Sequence, residues 1–94
     1  MDEIKKIKPK IIPILKKYHV NRASLFGSLV RGEMKKNSDI DILVEVPKDK
    51  SLFEFMDIQF DLEDALNKKV DLVEYSAIKP IIKDRILSDE VRII

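Results

Sequence analysis

Two pairs of residues in the segment 25–46 have types and spacing that suit phosphate and metal chemistry. Gly27-Ser28 follows a short apolar run, and ten residues later Asp39 and Asp41 open a second one. A glycine lets the backbone approach a phosphate closely, and a serine at a helix start adds a hydroxyl to N–H groups that favour anions. Two carboxylates two residues apart on a strand point to one face and can share one or two Mg²⁺ ions. Together the pairs indicate chemistry on a nucleoside triphosphate.

Three further residues are candidates for the same site. A site with two metal ions generally needs a third carboxylate, and Asp71 is the best candidate because it opens a predicted strand that can lie beside the first two acids. An exposed Asp at a strand end would leave the same pattern. Arg31 can reach the phosphates, or it can form a structural ion pair. Ser38 can hydrogen-bond a phosphate or orient the acid that follows it.

The helices that must position these residues are marked by periodicity and by capping signals. Apolar residues at helical spacing between lysines predict an amphipathic helix over residues 2–18. Pro9 and Pro13 predict a kink in it, or a helix that starts near Pro9. Ser51 with Glu54 three residues later predicts a capping box, and the helix that follows runs to about Asn67. A last helix opens at Lys79-Pro80 and runs to about Leu87.

The other elements are short, and together with the helices they predict the fold. They are strands over 21–26, 40–46, 70–74 and 91–94, a helix over 29–33 capped by Ser28, and a loop over Lys35-Lys36-Asn37. This alternation predicts an α/β (α+β) fold, in which a mixed sheet of about four strands has its helices packed mainly on one side. The apolar residues of the central helix are expected in the core, although some can face a partner: Phe53, Phe55, Met56 and Phe60.

Composition limits the classes of function that the chain can have. Its 94 residues, 45% hydrophobic and 37% charged, predict one globular domain over residues 1–94. A net charge of +1 gives no drive toward nucleic acid or membrane. The absence of cysteine excludes disulfides, zinc sites built on thiolates and cysteine nucleophiles. No apolar run is long enough to span a membrane, so a cytoplasmic location is expected.

The motif residues resemble the signature of the minimal nucleotidyltransferase family, a small branch of the DNA polymerase β-like superfamily. The resemblance covers nearly the whole chain, through LFGSLVRG, SDIDILVEV, VDLVEY and KPIIKDRILSDEVRII. Gly27-Ser28 matches the family's Gly-Ser, Arg31-Gly32 its Arg-Gly, and Asp39 and Asp41 its metal acids. Asp71 matches the third acid, which follows a helix of variable length. Val30 stands where the family often has a small Ala.

The resemblance implies an enzyme and a partner. Members are thought to transfer a nucleoside monophosphate from a triphosphate, and many are antitoxins that adenylylate a tyrosine of a HEPN-domain ribonuclease toxin. We therefore expect transfer of AMP from ATP to such a tyrosine, with release of pyrophosphate. Asp39, Asp41 and Asp71 would hold two Mg²⁺ ions, and Gly27, Ser28, Arg31 and Ser38 would bind the nucleotide.

Two other functions remain open. The chain can be an antitoxin that neutralises its toxin by binding alone, in which case changes at Asp39 and Asp41 would be tolerated. It can also be a nucleotidyltransferase acting on RNA or on a small molecule, although the near-neutral charge does not favour RNA. A chain this short has no room for a large acceptor-binding domain, which favours a protein acceptor. Exposed apolar residues on the central helix or the last strand can also support a homo-oligomer.

Overall fold

The protein, seen here as a computed structural model, is described over residues 2–33, 35 and 38–94, with Asp2 described by its backbone alone. It contains four α-helices and four strands in alternation. In chain order they are α1 (Asp2–Lys17), β1 (Arg22–Phe26), α2 (Ser28–Arg31), β2 (Ile40–Glu45), α3 (Leu52–Leu66), β3 (Val70–Glu74), α4 (Pro80–Asp89) and β4 (Val91–Arg92). A 3-10 helix, Tyr75–Ala77, follows β3 and was not predicted. Of the predicted loop at 35–37, Lys36 and Asn37 lie outside the described residues.

The strands form a mixed sheet in the order β3-β2-β1-β4. The central strand β2 is antiparallel to β1 and parallel to β3, and β1 is antiparallel to β4. The parallel pair is joined by α3, as a parallel connection requires a crossover. This confirms the predicted mixed sheet of four strands and places β2, which carries Asp41, at the centre.

Alternation along β2 separates a buried core from the face that carries the acids. Ile40, Ile42 and Val44 are at most 1% exposed and belong to the main core. That core also contains the buried sides of α1, α2 and α3. On the other face Leu43 packs in a smaller cluster that includes Phe26 and residues of α4. The prediction of helices mainly on one side is therefore confirmed, with α4 and the 3-10 helix on the opposite face.

Helix α1 is continuous through both of its prolines, so the prediction of a helix that starts near Pro9 is wrong. Pro9 and Pro13 are both exposed. Four residues apart, they lie on the solvent face, where a missing backbone donor does not disturb the packed side. Buried residues on the inner side, among them Ile11 and Leu15 at 0% exposure, hold the helix on the sheet.

Helix ends show one correct and one wrong prediction. Ser51 is the N-cap of α3, and its Oγ accepts a hydrogen bond from the Glu54 N–H at 3.2 Å, so the capping box is confirmed. In α2 the N-cap position is occupied by Gly27 and no side chain caps the helix. Ser28 is the first helical residue instead, because the chain turns through the positive φ of Gly27.

The expectation that the apolar residues of α3 lie in the core is correct for only part of the helix. Ile58 and Leu62 are fully buried, and Phe55 packs partly against the core. Phe53 is 78% exposed and Phe60 52% exposed. The helix therefore has an apolar face on each side. In the part of the chain that the structure describes, no helix is long and apolar enough to cross a membrane.

Candidate active site

Strand register brings the predicted site residues to one edge of the sheet. Asp41 pairs with Asp71 across the parallel strands β2 and β3, so the two residues lie side by side. On its other side Asp41 pairs with Phe26, the residue before Gly27. Asp39 precedes β2 by one residue and is exposed. The sheet thus brings the acids and the Gly-Ser turn together, although they lie far apart in the chain.

Asp41 is partly buried, and its carboxyl group lies close to two other acids. Burial, then the charges of Asp71 and Asp39, and then a hydrogen bond with Asp71 raise its pKa from 3.8 to about 6. The positive charge of Arg31 opposes this rise. A carboxyl group that is crowded by two others at a sheet edge is costly to ionise without a cation. A raised pKa of this kind is common at functional sites.

The donors present fit a divalent cation of the Mg²⁺ type in their chemistry. Mg²⁺ prefers oxygen ligands, is commonly held by one or two carboxylates, and keeps substrate phosphate and water as further ligands. Asp41 and Asp71 are in hydrogen-bonding contact, and Asp39 is close enough for its charge to act on Asp41. Within the described residues, no three His, Cys, Asp or Glu side chains already form a cage for an ion. The site is therefore a carboxylate pair with a nearby third acid.

Gly27 lies directly against the Asp41 carboxyl group. Its φ of 77° and ψ of −148° are accessible to glycine and strained for other residues. A Cβ at this position would overlap Asp41 Oδ2 and lie 3.0 Å from its Cγ. Both the backbone angles and the lack of a side chain are therefore needed here. The Gly27 turn and the carboxylate pair form one continuous surface.

After Gly27 the chain makes a single turn of helix. The Arg31 N–H donates to the Gly27 carbonyl at 3.1 Å, and the Glu33 N–H donates to the Ser28 carbonyl at 2.9 Å. Ser28 is half-buried at the start of this turn. The first N–H groups of a helix have no partner within the helix. Here they lie beside the carboxylate pair, where the oxygens of a triphosphate could accept from them.

The Arg31 side chain forms ion pairs with two acidic residues. Its guanidinium makes ion pairs with Glu33 at 3.1 Å and with Asp89, at the end of α4, at 3.0 Å. It also acts on the pKa of Asp41, so it lies within electrostatic reach of the acids. The structural ion pair is thus present, and phosphate contact stays a prediction. Sequence reasoning missed Asp89, which is 58 residues away in the chain and carries no motif.

Ser38 is engaged in its own loop. Its Oγ accepts a hydrogen bond from the Lys35 N–H at 2.9 Å, and its N–H donates to the Lys35 carbonyl at 3.0 Å. These two hydrogen bonds hold Ser38, the residue before Asp39, against Lys35. Contact between Ser38 and a phosphate stays a prediction.

A cavity of about 420 Å³ lies at the other end of β2 and β3. Its lining includes Val46 and Glu74, the residues at or just beyond the ends of these strands, and Leu52 and Phe55 of α3. The acids are at the beginning of the same strands, so the cavity is separate from them. None of the predicted site residues lines this cavity.

Comparison with known families agrees with the geometry. The family model described as polymerase beta, nucleotidyltransferase matches residues 9–94 of the chain. The chain belongs to this nucleotidyltransferase family. The predicted family and fold class are thereby confirmed, and with them the prediction of a transferase.

Two relatives and one solved structure show how far the similarity extends. A protein of Methanocaldococcus jannaschii, named provisionally as a protein adenylyltransferase, is 50% identical over 97% of this chain and 98% of its own length. The protein adenylyltransferase MntA of Thermococcus cleftensis is 40% identical over 80% of this chain and 76% of its own. A crystal structure of a toxin–antitoxin with AMP-PNP aligns with a TM-score of 0.80 and 26% identity, over 93% of this chain and 72% of that one.

Proposed function

We propose that the chain is a Mg²⁺-dependent protein adenylyltransferase, an antitoxin that transfers AMP from ATP to a tyrosine of a HEPN-domain toxin. The observation that carries the proposal is the contact of Asp41 with both Asp71 and the Gly27 turn. This contact supports the proposal, because the predicted metal ligands would lie directly beside the predicted phosphate-binding turn. The names of the relatives support protein as the acceptor, and the toxin–antitoxin structure with AMP-PNP supports the toxin and the nucleotide.

The phosphates of ATP would bind at the start of α2. The N–H groups of this turn and the Ser28 hydroxyl would donate to the outer phosphate oxygens. Arg31 could donate to the same oxygens if its guanidinium moved away from Asp89, and Asp89 would otherwise hold it beside the acids. Ser38 would keep Asp39 in place through its turn with Lys35. These contacts would position the α-phosphorus near the carboxylate pair.

Asp39, Asp41 and Asp71 would hold two Mg²⁺ ions. When bound, Mg²⁺ neutralises charge on the phosphate oxygens and lowers the pKa of an acceptor hydroxyl. The ionised carboxylates in turn keep the metal at the sheet edge. The raised pKa of Asp41 supports this assignment, since a cation would remove the repulsion that burial and the neighbouring acids produce.

The transfer itself is a displacement at phosphorus. The tyrosine oxygen forms a bond to the α-phosphorus, the bond from that phosphorus to the bridging oxygen breaks, and pyrophosphate leaves. The hydroxyl proton passes to water. In such reactions most of the catalysis is positioning and neutralisation of charge, so the rigid register between β1, β2 and β3 is the main contribution of the fold.

Neutralisation by binding alone is the second candidate, and the exposed apolar face of α3 favours it. Such a face can bind a partner tightly without any chemistry. The two candidates differ in their dependence on the acids. Pure binding would survive the loss of Asp39 and Asp41, whereas transfer would not.

The test is release of pyrophosphate from ATP and Mg²⁺ in the presence of a HEPN-domain protein encoded beside this chain. We expect Asp39→Asn or Asp41→Asn to lower the rate by about 10²–10³-fold or more, as the loss of one electrostatic contact at a transition state does. Asp71→Asn should lower turnover more than it weakens ATP binding. Glu45→Gln, at the exposed end of β2 away from Asp41, is the control and should change neither. Normal rates in the Asp39 and Asp41 variants would reject the metal assignment.

A further inference from the structure

One face of α3 presents large apolar side chains to solvent. Leu52 is 72% exposed, Phe53 78%, Met56 40% and Phe60 52%. We call these four residues the α3 stripe. Their spacing of three, four and seven to eight residues places them on one side of the helix, opposite the buried Ile58. A contiguous apolar surface of this kind on a small protein commonly marks a binding site for another protein.

Charge along the stripe indicates the chemistry of its partner. The 15 residues of α3 include five acids and no Lys or Arg. Asp57 and Asp64 are exposed beside the stripe. Asp61, one turn after Asp57, accepts a hydrogen bond from Tyr18 at 2.5 Å. Two copies joined through this face would bring two acidic borders together, which disfavours a second copy. A partner with Lys or Arg beside an apolar ridge would instead be complementary.

The stripe connects two other features of the molecule. At its beginning, Leu52 also lines the cavity of about 420 Å³ described above, which is large enough to admit an apolar side chain. At its end, Phe60 follows Gln59, whose Nε2 donates to the Val70 carbonyl at 3.1 Å. Val70 directly precedes Asp71. A partner bound along the stripe would therefore extend from the cavity toward the end of α3 that leads into β3.

We propose that the α3 stripe is the docking surface for the acceptor protein, which presents a helix with an apolar ridge bordered by Lys or Arg. One apolar side chain of that helix enters the cavity beside Leu52. The proposal rests on the proposed function for the identity of the partner. It adds the surface, the charge of the partner and the direction in which the partner must lie. Acceptor binding on α3 would leave the Gly27 turn open for ATP.

The test compares two pairs of exposed apolar residues. Phe53→Ser with Phe60→Ser removes the two aromatic side chains of the stripe, and Ile81→Ser with Ile82→Ser removes the exposed apolar pair on α4 as the matched control. We expect the affinity for the purified HEPN-domain protein to fall at least about 30-fold in the first variant and less than about 2-fold in the second. Affinity for AMP-PNP should be unchanged in both. Circular dichroism and the melting temperature check that each variant folds.

A charge variant gives an independent measurement on the same surface. Asp57→Lys with Asp64→Lys should weaken binding of the HEPN-domain protein about 10-fold and reduce its dependence on salt. The proposal would be overturned if neither the Phe53→Ser, Phe60→Ser variant nor the Asp57→Lys, Asp64→Lys variant changed the affinity for the HEPN-domain protein. So would a wild-type dimer in sedimentation that the Phe53→Ser and Phe60→Ser changes convert to a monomer. If binding depends on the stripe but no adenylate is transferred, the docking surface stands and the proposed reaction is wrong.

Discussion

Gly27 and Asp41 depend on each other, because the Asp41 carboxyl group occupies the space where a side chain at position 27 would lie. The turn can approach a phosphate only because it has no Cβ, and for the same reason the carboxylate can lie against the turn. Gly32, at the end of α2, also has a positive φ, but no atom lies within 4 Å of the position of its Cβ. Substitution of either glycine would therefore strain the backbone, but only substitution of Gly27 would also disturb a contact with Asp41.

This difference gives a matched pair of variants. Gly27→Ala should cost about 1–3 kcal/mol in the free energy of unfolding through backbone strain, and it should also displace the Asp41 carboxylate. Gly32→Ala should cost about 1–2 kcal/mol without touching the acids. We expect adenylyl transfer to fall about 10²-fold in the first variant, because a shift of about 1 Å at a reacting centre has that effect. Equal activity of the two variants would show that the contact with Asp41 has no role.

The raised pKa of Asp41 predicts a dependence of stability on pH. Its pKa of about 6 lies above the ordinary 3.8, so the folded state favours the protonated form. The resulting stabilisation is fully present below about pH 4 and is lost as the pH rises through about 6. In the absence of metal, Asp41→Asn should therefore melt a few degrees above the wild type at pH 7.5, and at the same temperature at pH 4.

Addition of Mg²⁺ gives the control for this prediction. At pH 7.5 the metal should raise the melting temperature of the wild type and have much less effect on Asp41→Asn. The effect of Mg²⁺ on the wild type should weaken below pH 6, where binding must displace a proton. A variant that melts below the wild type at pH 7.5 without metal would contradict the account of the carboxylate pair.

At the scale of elements, α3 has two separate tasks. Its inner side packs on α1 and the sheet, and its polar side chains hold β3 in place. Gln59 donates to the Val70 carbonyl at 3.1 Å, and Glu63 accepts from the Val70 N–H at 3.0 Å. These bonds fix the beginning of the strand that carries Asp71. The orientation of the third acid thus depends on α3, while the outer side of the helix remains free for a partner.

The capping box of α3 predicts the effect of a single hydroxyl. Ser51→Ala removes the bond to the Glu54 N–H and should lower the free energy of unfolding by about 1 kcal/mol. Ser76→Ala, at an exposed position in the 3-10 helix, is the control and should have little effect. Denaturant unfolding measures both. Since the cap is at the cavity end of α3, far from the acids, activity at saturating ATP should be unchanged.

Residues at the end of α4 form hydrogen bonds and ion pairs with residues in and beside the sheet. Glu90, which follows α4, accepts from Arg22 at 3.0 Å and shares a hydrogen bond of 2.7 Å with the Tyr75 hydroxyl. That hydroxyl also contacts the buried Ser24 at 2.6 Å, and the Arg22 guanidinium lies 4.4 Å from the centre of the Tyr75 ring. Asp89 in the same turn pairs with Arg31. The end of α4 therefore links β1 to the residue beside the phosphate turn.

At the scale of the whole molecule, local patterns were sufficient for most of the fold. The capping box at Ser51, the proline at the start of α4 and the alternation along β2 are each determined by neighbours in the chain. The contact of Asp41 with Asp71 could be anticipated because adjacent strands place matching residues side by side. These local signals were sufficient to predict where the candidate site lies.

The features that the sequence did not predict depend on tertiary packing. Periodicity did not show that Phe53 and Phe60 face solvent, because α3 is apolar on both sides. Pro9 is tolerated inside α1 because it faces solvent, and the sequence does not state which side is packed. The pairing of Arg31 with Asp89 joins residues 58 apart. In each case the sequence pattern did not indicate which surfaces pack against each other in the folded protein.

The central claim is that this chain adenylylates a partner protein with the help of Asp39, Asp41 and Asp71. The most direct test is intact mass spectrometry of the HEPN-domain protein encoded beside it, after incubation with this chain, ATP and Mg²⁺. The matched control is the variant with Asp39→Asn and Asp41→Asn. We predict a gain of one or more adenylate units with the wild type and none with the control. An unmodified partner in a stable complex would contradict the claim and indicate an antitoxin that acts by binding alone.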